Sequence, residues 1–470
     1  MSSKLFYKLM ALLILASIVL SACSSTATAT EAPAQPAATE APAQPAATEA
    51  PAATEAPPPP LSGKLTVWCW KSAWEDAIMK SGALDTFLAA NPGVIIDYVV
   101  TPPQDLYQKL PLALTSGTGA PDIACVESSR LAQFVDLGGL TDLTEQVKPY
   151  LDKMNAFKWA DAMKDGKYYA MPWDSGPVSM YYRRDVFEAA GLPSDPGSVS
   201  KAVATWEDYF NTCKTIKEKT GSDCFSNNKA NNFGRLYETM LWQQGFGYYN
   251  KDGQVTVDSP ENIAVLETMK KFWEANLVSD QLEWTDGWYA EMARATVAEK
   301  PVATLVEAAW MGAYLKGWIA PGTEGLWGVA QMPAMNTGQA RSSNNGGSNL
   351  VIPEQSQNKA AAWALAEWLL GRTDSQVAIF KASDFFPSLE TTYTDPIFNE
   401  PDPFFDNQNT RKAYIDAANI IPVGYVYGPN YNQMNGYVAT AIQKVATGAM
   451  TPADALKEAA DAIRSQTGMP

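Results

Sequence analysis

Regular alternation of apolar and polar positions starts near Lys64. The stretch "KLTVWCW" (Lys64–Trp70) turns its apolar side chains to one face with a period of two, and its β-branched and aromatic content predicts a strand. "ALDTFLAANPG" follows a helical period that Asn91-Pro92-Gly93 ends, and "VIIDYVV" (Val94–Val100) reads as a second strand. "DLYQKLPLALTSG" predicts a helix stopped at Gly117, and "PDIACVE" (Pro121–Glu127) a short buried strand. Strands separated by helices imply parallel pairing and an α/β layer. In such layers ligands sit beyond the carboxyl ends of the strands. Those ends carry Trp70-Lys71 and Glu127-Ser128-Ser129-Arg130, so Trp70, Lys71, Glu127 and Arg130 are candidate ligand contacts.

Further along, "YYAMPW" and "VSMYYRRDVF" are apolar, strand-like runs on either side of an abrupt Asp174-Ser175-Gly176-Pro177. Thr205 is placed to cap a helix with Asp208 answering it, and Ser259 precedes a proline at a first helical position, Pro260. Val302–Glu307 predicts a strand that runs into a helix at Trp310. "SSNNGGSNLVIP" leads a Gly-rich turn into a strand, and "NKAAAWALAEWLL" is an amphipathic helix. Thr451-Pro452 opens the last helix, with Leu456, Ala459, Ala460 and Ile463 on one face.

The N-terminal stretch follows a different pattern. Lys4 and Lys8 precede a run, Leu9 to Leu20, broken only by a serine. That run is shorter than the roughly 20 residues a spanning helix needs, so residues 1–22 read as an export signal. Ser24 to Pro60 repeats "EAPAQPAAT" and has almost nothing to bury, so residues 23–60 are expected to form a disordered tether. Its prolines favour extended polyproline II, with a reach on the order of 100 Å at about 3.1 Å per residue.

The remainder is longer than one hydrophobic core usually organises, which predicts two lobes. With 35 basic and 51 acidic residues the chain carries a net charge of −16, which argues against nucleic acid as a partner. The sequence contains no histidine, which excludes Ser-His-Asp and Cys-His nucleophilic catalysis and the common zinc sites. No metal site or cofactor is expected. Cys213 and Cys224 are close enough in sequence for a disulfide in an oxidising compartment. Cys69 and Cys125 read as buried thiols within strands, with a bond between them as the alternative.

"SGTGAPDIACVES", "DGKYYAMPWDSGPVSMYYRRDVFEAAGLP", "TWEDY", "VEAAWMGAY", "GGSNLVIPEQSQNKAAAWALAEWLL" and "GAMTPADALKEAADAI" stand in that order along residues 61–468. Together they resemble the bacterial extracellular solute-binding proteins of family 1, the receptors of carbohydrate ABC importers. "LSAC" likewise resembles the lipobox, in which the cysteine, here Cys23, is lipidated. The resemblance implies an α/β, type II-like periplasmic-binding-protein fold with two discontinuous lobes, a hinge and an interlobe cleft. The lobes are expected at 61–174 with 346–385, and at 175–345 with 386–470. It also implies a monomer tethered to the outer face of the cytoplasmic membrane, with a sugar and permease subunits as partners and hinge closure as the mechanism.

A sugar offers apolar C–H faces and rings of hydroxyls, so its site needs aromatic planes and multivalent polar groups. Fifteen tryptophans leave some to spare after packing. Trp310 matches the family position that stacks on the sugar, with Glu307 before it as hydroxyl acceptor or helix cap. Asn345-Gly346-Gly347 resembles the family's turn back to the first lobe and contributes candidates at all three residues. Trp173 and Asp174 are expected at the cleft floor. Trp242 beside Tyr248-Tyr249, Trp288 with Trp284, Asp384 with Phe386, and Tyr431 in "YGPNYNQMNGY" complete the candidate set. The last region departs from the malto-oligosaccharide receptors, so their substrate does not transfer to this chain. Two rival readings are a tethered glycoside hydrolase using Glu127 and Asp174 as its carboxyl pair, and a sugar-sensing or adhesive surface lipoprotein.

Overall fold

The computed structural model describes residues 60–230, 234–423 and 427–470. The signal, Cys23 and almost all of the tether lie outside them. Eight strands organise two layers: β1 (Ser62–Cys69), β2 (Gly93–Val100), β3 (Ile123–Glu127), β4 (Met171–Pro172), β5 (Val178–Arg183), β6 (Thr304–Ala308), β7 (Trp327–Ala330) and β8 (Ser348–Val351). The first sheet has the order β2-β1-β3-β8-β4. The β2-β1-β3 part is parallel, as its helical connections require, and β8 returns antiparallel between β3 and β4. The second sheet, β6-β5-β7, is antiparallel throughout.

Each sheet has its own core. Leu65, Val67, Phe134 and Leu350 pack with the buried face of the helix Pro103–Ser116, which is Leu106, Leu110 and Leu114. Burial of each such leucine contributes about 1.5–3 kcal/mol. Tyr181, Trp206, Phe272 and Trp327 pack with Leu456 and Ile463 of the last helix, Pro452–Thr467. Local signals act where they stand. Thr205 and Asp208 close a reciprocal cap on Trp206–Thr220, and Ser259 and Thr451 each cap a helix that starts on proline. The fold is a two-lobed α/β architecture.

Three segments lie side by side where the two cores meet: Trp173 to Val178, Ser343 to Gly347, and Phe385 to Ser388. Ser175 N–H donates to Phe386 O at 2.8 Å, Ser388 N–H to Trp173 O at 2.9 Å, and Asn345 N–H to Gly176 O at 2.9 Å. Ser175 Oγ donates to Asn155 Oδ1 at 2.7 Å and lies 3.0 Å from Ser388 Oγ. Gly176 is required here by proximity, because a Cβ in its place would lie 1.9 Å from Asn345 O.

The cysteines depart from expectation at one pair. Cys213 and Cys224 are bonded, with Cα atoms 5.2 Å apart, and Cys69 and Cys125 are bonded as well, at 5.0 Å. The second bond follows from register. Trp68 of β1 pairs with Ala124 of β3, so the next residue on each strand is a cysteine facing its neighbour. A sequence reading without that register favoured separate thiols and kept the bond as the alternative.

Candidate functional site

Between the two cores, against the crossing segments, lies a cavity of about 260 Å³. Six aromatic side chains line it: Trp70, Tyr107, Trp284, Trp310, Tyr314 and Phe385. Trp310 starts the helix that follows β6, and that helix is tied to the first crossing because Ala309 N–H donates to Pro177 O at 3.0 Å. Its indole Nε1–H donates to Asn345 O at 3.1 Å, which fixes the ring plane to the second crossing. Tyr314, one turn on, lies 5.6 Å from it centroid to centroid, and Trp284 lies 5.9 Å away at an interplanar angle of 31°. Trp284 has φ +66°, a left-handed conformation that is costly for a bulky residue and that concentrates at functional sites. Arg235, 5.5 Å over its ring, and Trp288, 5.3 Å behind it, hold it there.

The polar groups are carried by rigid parts. Glu127 ends β3, and its only protein hydrogen bond among the described residues is a long one from Tyr107 OH, at 3.5 Å. Its carboxylate therefore keeps most of its acceptor capacity. Asp174 accepts Ser348 N–H on Oδ1 at 2.8 Å. Burial raises the pKa of its carboxyl, and Lys158 opposes that shift. Lys158, wholly buried beneath, donates to Ser128 Oγ at 2.5 Å. Burial lowers its pKa, against the pull of Asp174, Asp161 and Glu127. Gly347 leaves room for that lysine, since a Cβ there would stand 2.6 Å from Nζ and 2.5 Å from Asp174 O. Arg235 approaches Glu283 at 3.5 Å. Burial works to discharge its guanidinium, and Glu307, Glu283 and Glu127 more than offset that. The lining thus offers acceptors at Glu127 and Asp174 and donors at Arg235, framed by aromatic planes.

The sequence-derived candidates divide. Trp70, Glu127, Asp174, Trp310, Asn345, Gly346 and Gly347 line the cavity together. Arg130 lies beside it, 5.1 Å over the Tyr107 ring. The remaining candidates do not line it. Lys71 is exposed, and Ser72 lines the cavity in its stead. Trp173 is buried beneath the floor, edge-on to Phe385, and Trp242 and Trp288 belong to the second core. Glu307 accepts from Asn345 Nδ2 at 3.0 Å and lines a small internal cavity behind the Arg235 side chain. Burial raises its pKa to about 7, with Arg235 pulling the other way. Asp384 is bound by Lys316 at 2.5 Å, which also holds Asp402. Tyr431 gives its hydroxyl hydrogen to Glu238, at 2.8 Å. Sequence reasoning missed Arg235, Tyr107, Tyr314 and Phe385, and of its pair Trp284 and Trp288 only Trp284 lines the cavity. Tyr107, on a helix edge, and Tyr314, one helical turn after Trp310, carried a spacing signal.

Comparison with known proteins agrees with this architecture. Residues 71–374 match the family model described as bacterial extracellular solute-binding protein. An arabinooligosaccharide-binding protein of Halalkalibacterium halodurans is 26% identical over 373 residues, 77% of this chain and 80% of that protein. A lactose-binding protein of Rhizobium radiobacter is 26% identical over 406 residues, 85% and 91% of the two. A crystal structure of an extracellular solute-binding protein of family 1 superposes with a TM-score of 0.73 at 26% identity, over 85% of this chain and 99% of that one. The galacto-N-biose-/lacto-N-biose I-binding protein of Bifidobacterium longum shares the fold, with a TM-score of 0.71 at 20% identity over 87% and 98%. This chain belongs to the bacterial extracellular solute-binding proteins.

Proposed function

We propose that this protein is the receptor of a carbohydrate ABC importer, and that it holds a mono- or oligosaccharide between its lobes. The observation that carries the reading is the cavity at the three crossings, where six aromatic planes surround two carboxylates and one guanidinium. Aromatic planes cover sugar C–H faces, and ionised groups make the stronger hydrogen bonds to hydroxyls. Relatives that bind arabinooligosaccharides and lactose support the ligand class.

The lobes are read as 61–174 with 346–385 and as 175–345 with 386–470, and residues 174–177 as one hinge strand. Hinge closure is the established behaviour of periplasmic binding proteins. A sugar that bridges Glu127 of the first lobe and Trp310 of the second favours closure because it touches both surfaces only when they approach. The closed form is then what permease subunits meet. Lipidation at Cys23 would hold a monomer at the outer face of the cytoplasmic membrane. Against a hydrolase, Asp174 already accepts Ser348 N–H and lies against buried Lys158, which fits a structural and binding carboxylate better than a free acid or base.

A thermal-shift screen over mono- and oligosaccharides tests the reading, because a ligand of the folded state raises the melting temperature. At least one sugar should do so, with stoichiometric binding in calorimetry and no cleavage products. Failure of all sugars to bind, or turnover of any, overturns it.

A further inference from the structure

Arg235 is the one cation among the described residues that line the aromatic cavity. It opens the helix Arg235–Trp242, and its guanidinium lies 5.5 Å over the Trp284 ring. Apart from the 3.5 Å approach of Nε to Glu283 Oε2, that guanidinium meets no acceptor among the described residues. The same side chain also lines a separate internal void of about 20 Å³, and there it stands with Glu283 and Glu307.

These two carboxylates come from different elements and are held differently. Glu307 is buried near the end of β6, opposite Ser179 of β5. Its Oε2 accepts Ala308 N–H at 3.1 Å and Asn345 Nδ2–H at 3.0 Å, so the group is immobile while Oε1 has no donor among the described residues. Glu283 directly precedes Trp284, and its Oε2 is buried without a hydrogen-bond partner. Neither carboxylate lines the aromatic cavity. Unpaired buried carboxylates are costly, and Arg235 is the cation that lies against both. Two anions behind one cation draw the guanidinium back against Trp284 and leave its outer N–H groups to the cavity.

We infer that Glu283 and Glu307 are positioning residues for the ligand: from behind the cavity wall they fix the Arg235 guanidinium, whose outer N–H pair then donates to neighbouring hydroxyl oxygens of the sugar. This rests on the sugar-receptor reading and deepens it by naming what makes the cationic donor rigid. A planar fork holds its two N–H bonds at a set spacing, and aiming it beforehand spares the side-chain entropy that a free arginine would lose on binding.

Other ionisable groups face this cluster. Glu238, one turn along the Arg235 helix, accepts from the hydroxyls of Tyr248 and Tyr431 at 2.7 and 2.8 Å. Glu127 and Tyr431 act on Arg235, and Tyr181 of β5 lies near Glu307. Burial raises the pKa of Glu307 and of Glu238 to about 7, and raises that of Glu283. Below about pH 7 Glu307 therefore loses the charge that holds Arg235, and sugar affinity should fall with it.

The test is calorimetry on the full chain with arabinose, arabinobiose, galactose, lactose, glucose and maltose, with urea denaturation of each variant beside it. For the tightest of these at pH 8, Glu283→Gln and Glu307→Gln should each raise Kd about fivefold, and Arg235→Ala about tenfold. In the Arg235→Ala background either glutamine should add less than about twofold, because both act through that side chain. Wild-type Kd should rise severalfold from pH 8 to pH 5.5, and by less in Glu307→Gln, the remainder coming from Glu238 and Glu283. A merely structural role would lower the urea midpoint and leave the losses additive. Wild-type affinity in both glutamine variants, undiminished losses in the Arg235→Ala background, or a wild-type pH profile in Glu307→Gln overturns the positioning role and leaves the receptor reading intact. Where Glu307→Gln or Arg235→Ala fails to fold, Glu283→Gln decides by its Kd alone, since that side chain is 21% exposed and tolerates the change. No binding by any probe at any pH overturns the receptor reading and the positioning role with it.

Discussion

Gly176→Ala isolates how tightly the crossings are apposed. The added Cβ would lie 1.9 Å from Asn345 O, 2.8 Å from Asn345 C and 3.3 Å from Ala308 Cβ. Two of these are backbone atoms, so no rotamer change relieves the contact, and the first two crossings must part by about 1.5 Å to reach ordinary packing distances. Such overpacking costs about 1–3 kcal/mol. The hydrogen bond from Asn345 N–H to Gly176 O, 2.9 Å long, stretches or breaks, for about another 1 kcal/mol. A loss of about 2–4 kcal/mol leaves a protein of ordinary stability folded. Binding suffers for a separate reason, since Asn345 O also receives the Trp310 indole hydrogen at 3.1 Å, and moving it turns the ring. Urea denaturation should show a lower midpoint with an unchanged slope, and calorimetry at low denaturant a weaker sugar affinity. Wild-type midpoint and wild-type affinity together would refute the claim that these segments are in contact and that Trp310 takes its orientation from them.

Trp310→Ala should weaken sugar binding by at least about 1 kcal/mol with the fold intact, whereas Trp288→Ala, in the core behind, should mainly lower stability, by about 3–5 kcal/mol; the reverse pattern would exchange their roles. Lys158→Met removes the cation beneath Asp174 and should cost about 3–5 kcal/mol in urea denaturation, the penalty for stranding a buried charge. Burial raises the pKa of the Asp161 carboxyl from 3.8 to about 7. The folded state then holds more protons than the unfolded state between about pH 4 and 7, so stability is full below that window and falls as pH rises through it. Denaturation midpoints should be higher at pH 5 than at pH 7.5, and Asp161→Asn should reduce the difference, the remainder coming from Glu307 and Glu238, whose pKa values burial also raises to about 7. A midpoint that rises steadily over this range would count against the assignment.

The strands, the caps and the break at 174–177 were legible because each depends on residues near in sequence. Periodicity places β1, β2 and β3, and Thr205, Ser259 and Thr451 mark their helices without tertiary help. Trp70 and Glu127 were legible as cleft residues because strand polarity alone sends them there. Arg235 was not, since its position depends on Glu283 and Glu307, about 50 and 70 residues away. Trp284 and Trp288 are chemically alike, and what separates them is the left-handed backbone that turns Trp284 toward the cavity ahead of the helix Asp286–Ala293. Asp384 and Tyr431 were candidates by their place in the sequence, and Lys316 and Glu238 engage them. A polar side chain shows its type in sequence, but whether it is already engaged depends on the folded neighbours.

The bond between Cys69 and Cys125 has a bearing on when the receptor becomes competent. Cys69 directly precedes Trp70, and Cys125 stands two residues before Glu127, so the crosslink sits at the root of both cleft residues. It joins neighbouring parallel strands whose connection winds through more than fifty residues. An aromatic plane and a carboxylate from distant parts of the chain are thus held at the cavity as one covalent piece, and only after oxidation. In a reducing compartment the same chain would lack that fixture, so the geometry of this edge of the cavity depends on the redox state of the surroundings.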